Sequence, residues 1–166
     1  MLETLKSIIV QEFDPVFGYW YMAPVIIFYI LAASYTDAKQ KKIYDKLNIS
    51  LLILRLVSAS IYPITSRHLI GAIFGLLIIL IPAMIMNIPM GGDIKFAAVL
   101  GLWISDSGIY VSLAIGAILF IIYGLAAKKK RKEMVPLGPF ISIGCLCIMV
   151  IYYALALPYI LEYAFM

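Results

Sequence analysis

The chain has 166 residues, 64% of them hydrophobic and 13% charged, with a formal net charge of +4 and a mean hydropathy of +1.04. Soluble domains are roughly 45–50% apolar, so this composition excludes an ordinary soluble enzyme and points to an integral membrane protein. A crossing helix needs about 20 apolar residues, which allows six crossings and no separate soluble catalytic domain.

In chain order, the first stretch, "MLETLKSIIVQEFDPVF", carries acids, a short apolar core and no small-residue cleavage site, so no cleavable signal peptide is expected. Leu2, Leu5, Ile8, Ile9 and Phe13 fall near helical spacing, which suits an interfacial segment over residues 1–18. A frayed terminus is the competing reading. Apolar runs bounded by charge then predict helices over 20–36, 47–64, 68–88, 93–105, 108–126 and 139–161. The fold class is therefore all-α, a polytopic membrane protein with one six-helix domain over residues 19–166.

The basic residues orient this bundle. Lys39, Lys41, Lys42 and Lys46 lie between the first two helices, Lys95 at the third connection, and Lys128, Lys129, Lys130, Arg131 and Lys132 before the last helix. Lys6 and Arg67 fall on the other side, and Arg55 within a helix. Positively charged connections stay in the cytoplasm, so both termini are expected outside it, in a multi-pass protein of the cytoplasmic membrane. The run "KKKRK" reads as an anchor on anionic lipid, and no nucleic-acid partner is expected. Tyr19, Trp20, Tyr21, Trp103 and Tyr110 fall near the outer boundary and read as an aromatic belt.

Few groups are left for chemistry. His68 is the single histidine, on the outer side; Cys145 and Cys147 sit inside an apolar run and read as packing residues, and no metal site is expected. Ser66 beside His68 makes a poor triad, and "GGDIK" lacks the spaced glycines and the Lys-Ser/Thr pair of a phosphate loop. Of nine acidic residues, Asp37, Asp45 and Asp93 lie at cytoplasmic helix ends, and Asp37 and Asp93 are attached directly to membrane helices.

Asp93 stands in "NIPMGGDIKFAAVLGLW", residues 87–103. The apolar run after it, Ile94 to Ile104, rises only about 17 Å at 1.5 Å per residue, against a hydrocarbon core of about 30 Å. Asp93 is thus expected below the membrane surface or in a local thinning, where a carboxylate is costly and marks a functional site. Gly91 and Gly92 admit unusual backbone angles and the close approach of another chain. Two carboxylates close together do not both ionise easily, so one keeps its proton as general acid while the other activates a water. Asp37 alone also reads as a solvated acid paired with Lys39 or Lys41, and Asp93 alone as a helix N-cap. Lys95 reads as a snorkelling anchor or an ion-pair partner of Asp93, with substrate handling as a further role. Asp45 is the reserve candidate.

With these residues in view, the sequence resembles the type IV prepilin peptidases, membrane aspartyl proteases of the GxGD class. "DAKQKKIYDKLN" resembles their first aspartate pattern, with Asp37 and Ile43, and "GGDIKFAAVLGLW" the second, with Gly92, Asp93 and Lys95; "VPLGPFISIG", residues 135–144, resembles the start of their last helix. Met90 stands where the first glycine of GxGD is expected, and Tyr44 and Asp45 stand where Pro-Asn is usual. The resemblance implies removal of a leader after a glycine from membrane-anchored prepilin-like substrates at the cytoplasmic face. It implies Asp37 and Asp93 as the catalytic pair, with Gly91, Gly92 and Lys95 near the substrate and no cofactor. The cysteine-rich loop of the bifunctional members is missing, so no methyltransferase activity is expected. A small proton- or cation-coupled transporter component and an inactive pilus-assembly factor are the rival readings; oligomeric state is left open.

Overall fold

A computed structural model describes residues 23–126 and 136–164, with side chains through 154. The interfacial segment, Tyr19, Trp20, Tyr21 and the basic run Lys128 to Lys132 lie outside the described residues. Among these, all regular structure is helical: α1 Ala23–Gln40, α2 Asp45–Ser58, α3 Ser66–Met86, α4 Gly91–Ala126 and α5 Gly138–Ala164. Two of them, α3 and α4, are long and apolar enough to cross a membrane.

The six expected helical segments all have counterparts, because α4 is interrupted at Ser105 (φ 55°, ψ −173°), between the predicted fourth and fifth helices. Several boundaries differ for local reasons. α1 runs four residues past the predicted end and stops at Lys41, which takes the left-handed conformation (φ 54°). α2 ends at Ser58 rather than 64, since Pro63 lacks an N–H and restricts the residue before it. Thr65 and His68 then form a reciprocal cap at the start of α3. Asn87, also left-handed (φ 51°), closes α3, with Ile88 N–H donating to the carbonyl of Ala83.

α4 lies at the centre, packed on α2, α3 and α5, while α1 closes the bundle against α5. Its residues Phe96, Ala97, Leu100, Trp103, Ile104 and Ile109 are buried in the core. Cys145 is buried and Cys147 half-buried, both as free thiols. The outside is equally apolar: Ile70, Ile73, Ile81 and Ile85 of α3 and Ile118, Ile121 and Leu125 of α4 are exposed. A contiguous apolar exterior on this scale suits lipid and not water.

Polar contacts pin α2 to α4. The buried stripe Asn48, Leu51, Arg55 and Ser58 follows helical spacing. Asn48 Nδ2 donates to Gly92 O at 3.2 Å, Trp103 Nε1 to Leu51 O at 3.1 Å, and Arg55 Nε to Leu102 O at 3.0 Å. The break at Ser105 interrupts the helical ladder, so carbonyls of the preceding turn take donors from outside it. Arg55, fully buried, supplies one, and its Nη1 reaches Tyr62 O at 2.9 Å; its charge stacks on Tyr62 and Trp103. Trp103 is therefore a buried bridge and not part of an outer aromatic belt, while Tyr110 is exposed at the surface, edge-on to Phe74. His68 is likewise buried, its ring edge-on to Tyr62.

Arg55→Ala leaves these buried carbonyls without donors and empties the packed volume of the side chain. It is expected to cost on the order of 3 kcal/mol, read as a lowered unfolding temperature of the detergent-purified protein.

Candidate active site

Ile26, Ile30, Ala33 and Asp37 are buried at spacings of four, three and four residues, so they form one stripe on α1. The carboxylate continues an apolar face and turns into the bundle with it. Asp37 is 2% exposed, so it is not the solvated, lysine-paired acid that its neighbours suggested. Lys39 lies beside Tyr35 instead.

After Lys41 the chain turns inward, and Ile43 is buried across the head of α4. A Cβ added to Gly92 would lie 2.7 Å from Ile43 O and 3.2 Å from its Cβ, whereas one at Gly91 would meet nothing within 4 Å. Neither glycine has a positive φ. Gly92 thus works by its absent side chain and not by unusual angles. At Gly92 the close neighbour is the chain's own Ile43, and Gly91 faces open space.

α4 begins at Gly91, and Met90 O accepts the first helical bond, from Ile94 N–H at 3.1 Å. Met90 occupies the capping position, and Asp93 lies inside the first turn, so it is not the N-cap. Met90 is not among the residues of positive φ, and its half-buried side chain packs on the core. A side chain at this position is therefore free of backbone strain, and the departure from GxGD leaves Asp93 on the first turn of its helix.

Asp93 Oδ1 is buried and has no hydrogen-bond partner among the described residues. Gly92, the residue before Asp93, packs on Ile43, whose side chain also lies against Gly138. Gly138, the first residue of α5, donates its N–H to Asp37 Oδ2 at 2.8 Å. The end of α1, the 41–44 turn and the starts of α4 and α5 thus meet around Ile43, with Asp37 against Gly138 and Asp93 next in the chain after Gly92.

Lys95 and Asp45 point elsewhere. Their side chains are 57% and 60% exposed and form a 2.8 Å ion pair, so Lys95 pairs with Asp45 and not with Asp93. Exposed pairs of this kind contribute at most about 1 kcal/mol. Asp45→Asn should leave any activity within about twofold of the parent, read from initial rates. Among the described residues no three His, Cys, Asp or Glu side chains gather at one point.

Sequence reasoning brought out Asp37, Asp93, Gly92 and Ile43, and passed over Asn48 and Gly138. Asn48 carried a readable signal, a polar residue on the buried α2 stripe. Gly138 acts through its backbone, and only its place in "VPLGPFISIG" marked it.

Comparison with known proteins gives the same direction. The model of the type IV leader peptidase family matches residues 24–125. A prepilin leader peptidase/N-methyltransferase from Xanthomonas campestris pv. campestris is 29% identical over 159 aligned residues, covering 87% of this chain and 55% of that protein. The chain thus spans about half the length of this relative. No solved structure matches it.

Proposed function

We infer, since the chain belongs to the type IV leader peptidase family, that it is an aspartic endopeptidase of the membrane. Its substrates are membrane-anchored prepilin-like precursors, and it removes their leaders at the cytoplasmic face. The observation that carries this reading is the pair Asp37 and Asp93. They come from two helices whose ends meet at Ile43, with Asp37 buried and Asp93 Oδ1 lacking a partner among the described residues.

The chemistry follows from that pair. In a low-dielectric pocket two adjacent carboxylates favour one shared proton. The ionised one takes a proton from water as its oxygen attacks the scissile carbonyl, and the protonated one supports the developing oxyanion. Neither step calls for a metal. Gly91, open on its outer side, and the exposed Lys95 would meet the extended segment of the substrate, with Gly92 holding Ile43 in place beneath it.

The placement in the membrane is part of the same reading. α1, α2, α3, the two halves of α4, and α5 form six crossings of a cytoplasmic membrane. The ends that carry Asp37, Asp93 and Gly138 lie on the cytoplasmic side, and both termini lie outside. The contacts support this alternation. Asp37 meets Gly138 at one end, while Arg67 of α3 pairs with Asp106, just past the α4 break, at the other. The first half of α4, residues 91–104, rises about 21 Å, short of a hydrocarbon core of about 30 Å. Asp93 then sits below the interface, as a peptidase acting next to a substrate's membrane helix requires.

Co-expression with a precursor carrying a short basic leader before a hydrophobic helix tests the reading. Removal of the leader, seen as a mobility shift and confirmed by the new N-terminus, supports it. An uncleaved precursor together with proton or cation flux through reconstituted vesicles would favour the transporter instead.

A further inference from the structure

We infer that the backbone amide of Gly138 is a positioning element of this site, holding Asp37 as the ionised member of the pair and leaving Asp93 as the member that carries the proton. The inference rests on the peptidase reading and assigns roles within it.

Two observations distinguish two carboxylates that the sequence left equivalent. Asp37 Oδ2 accepts a buried hydrogen bond of 2.8 Å from Gly138 N–H. Gly138 is the first residue of α5, where amides have no partner within the helix. A carboxylate accepting an N–H there is held in its charged form. Asp93 differs, since its Oδ1 is buried with no partner among the described residues. A proton on Asp93 removes the second negative charge from the site.

Space is as tight as polarity. A Cβ at Gly138 would lie 2.9 Å from Asp37 Oδ2, and 3.1 Å from both Asp37 Cβ and Ile43 Cδ1. Any larger residue pushes on the carboxylate and on the same Ile43 that lies against Gly92, next to Asp93. The amide comes from beyond the matched stretch 24–125, so the start of α5 completes the site from outside it.

The step then balances. Water oxygen bonds to the scissile carbonyl carbon; Asp37 takes one water proton while Asp93 gives its proton to the carbonyl oxygen. The resulting gem-diol collapses as the proton on Asp37 passes to the leaving nitrogen and the C–N bond breaks. Asp93 recovers a proton from a gem-diol hydroxyl, and both carboxyls return to their starting states.

Two measurements on the detergent-purified full chain test this. In cleavage of a purified membrane-anchored precursor, Gly138→Ala should lower kcat about tenfold to a hundredfold with KM within twofold. Infrared absorption should show a protonated-carboxyl band in the parent protein that disappears in Asp93→Asn. The band should return in Asp93→Asn combined with Gly138→Ala, where the added Cβ pushes the Asp37 carboxylate off the amide and Asp37 takes up a proton. The other described acids are paired, Asp45 with Lys95 and Asp106 with Arg67. A parental kcat in Gly138→Ala, or a parent-minus-Asp93→Asn infrared difference without a protonated-carboxyl band, overturns the inference. If instead Asp37→Asn and Asp93→Asn both retain cleavage, the peptidase reading falls, and the infrared result still decides which carboxyl carries the proton.

Discussion

Asp93→Asn is expected to lower the rate of leader removal by about 10³-fold or more, and Asp37→Asn by a similar factor, each measured as the fraction of precursor processed over time. Asparagine keeps the size and shape of the carboxylate, so the loss is chemical. At position 37 it removes the group that takes the proton from water, and at position 93 the one that supplies a proton to the carbonyl oxygen. Either change also removes an ionisable group that is costly to hold away from water, Asp37 being buried and Asp93 half-buried with its Oδ1 enclosed. The variants should therefore unfold at the parental temperature or above it. That combination, lost cleavage with intact stability, separates catalysis from folding. Parental processing by both variants would remove the aspartate pair from the mechanism.

The aspartates were legible because apolar chains make acids conspicuous. Among residues 23–40 the stripe Ile26, Ile30, Ala33 and Asp37 predicts which way the carboxylate faces once α1 is known to extend through Gln40. Taken alone, beside Lys39 and Lys41, Asp37 also reads as a solvated acid. The helix boundary decided the environment of the side chain. Trp103 failed differently: an aromatic residue near a predicted boundary has the same local pattern whether it faces lipid or a neighbouring helix. Only the tertiary contact with Leu51 O distinguishes them.

The break between the fourth and fifth helices was readable from the polar cluster Ser105, Asp106 and Ser107 in an apolar run. The ion pair of Asp106 with Arg67 and the positive φ of Ser105 show that cluster turning the chain. Arg55 was harder. A lone cation in an apolar helix says that something must satisfy it, and the sequence does not say that the donors go to carbonyls around a break 47 residues away. Asn48 and Gly138 share this character, since each bond joins a side chain to a backbone atom, and backbone atoms leave no mark on sequence patterns. The legible part of the site was thus its titratable groups. The part that orients them lies in main-chain contacts brought together by the bundle.

Gly101→Leu is expected to destroy both stability and activity, in contrast to the aspartate variants. α3 and α4 meet backbone to backbone along small residues, Gly71 and Gly75 facing Ala97, Gly101 and Ser105. Such seams are the usual means of close helix packing in lipid, where no hydrophobic drive brings helices together and contact between backbones supplies the attraction. A Cβ at Gly101 would overlap the Gly71 carbonyl, and one at Gly71 would lie 2.7 Å from Gly101 O. A leucine at 101 therefore forces the helices apart along the face that holds the first half of α4, at a cost of about 3 kcal/mol or more. The same half carries Asp93 at its head and, at its foot, the contacts of Leu102 and Trp103 with α2. Its displacement moves Asp93 away from Asp37 as well as loosening the bundle. Gly124→Leu is the matched control, because a Cβ there meets nothing within 4 Å. It should leave the unfolding temperature in detergent and the cleavage rate near parental values while Gly101→Leu loses both. Equal behaviour of the two variants would mean that the α3–α4 seam does not set the position of Asp93.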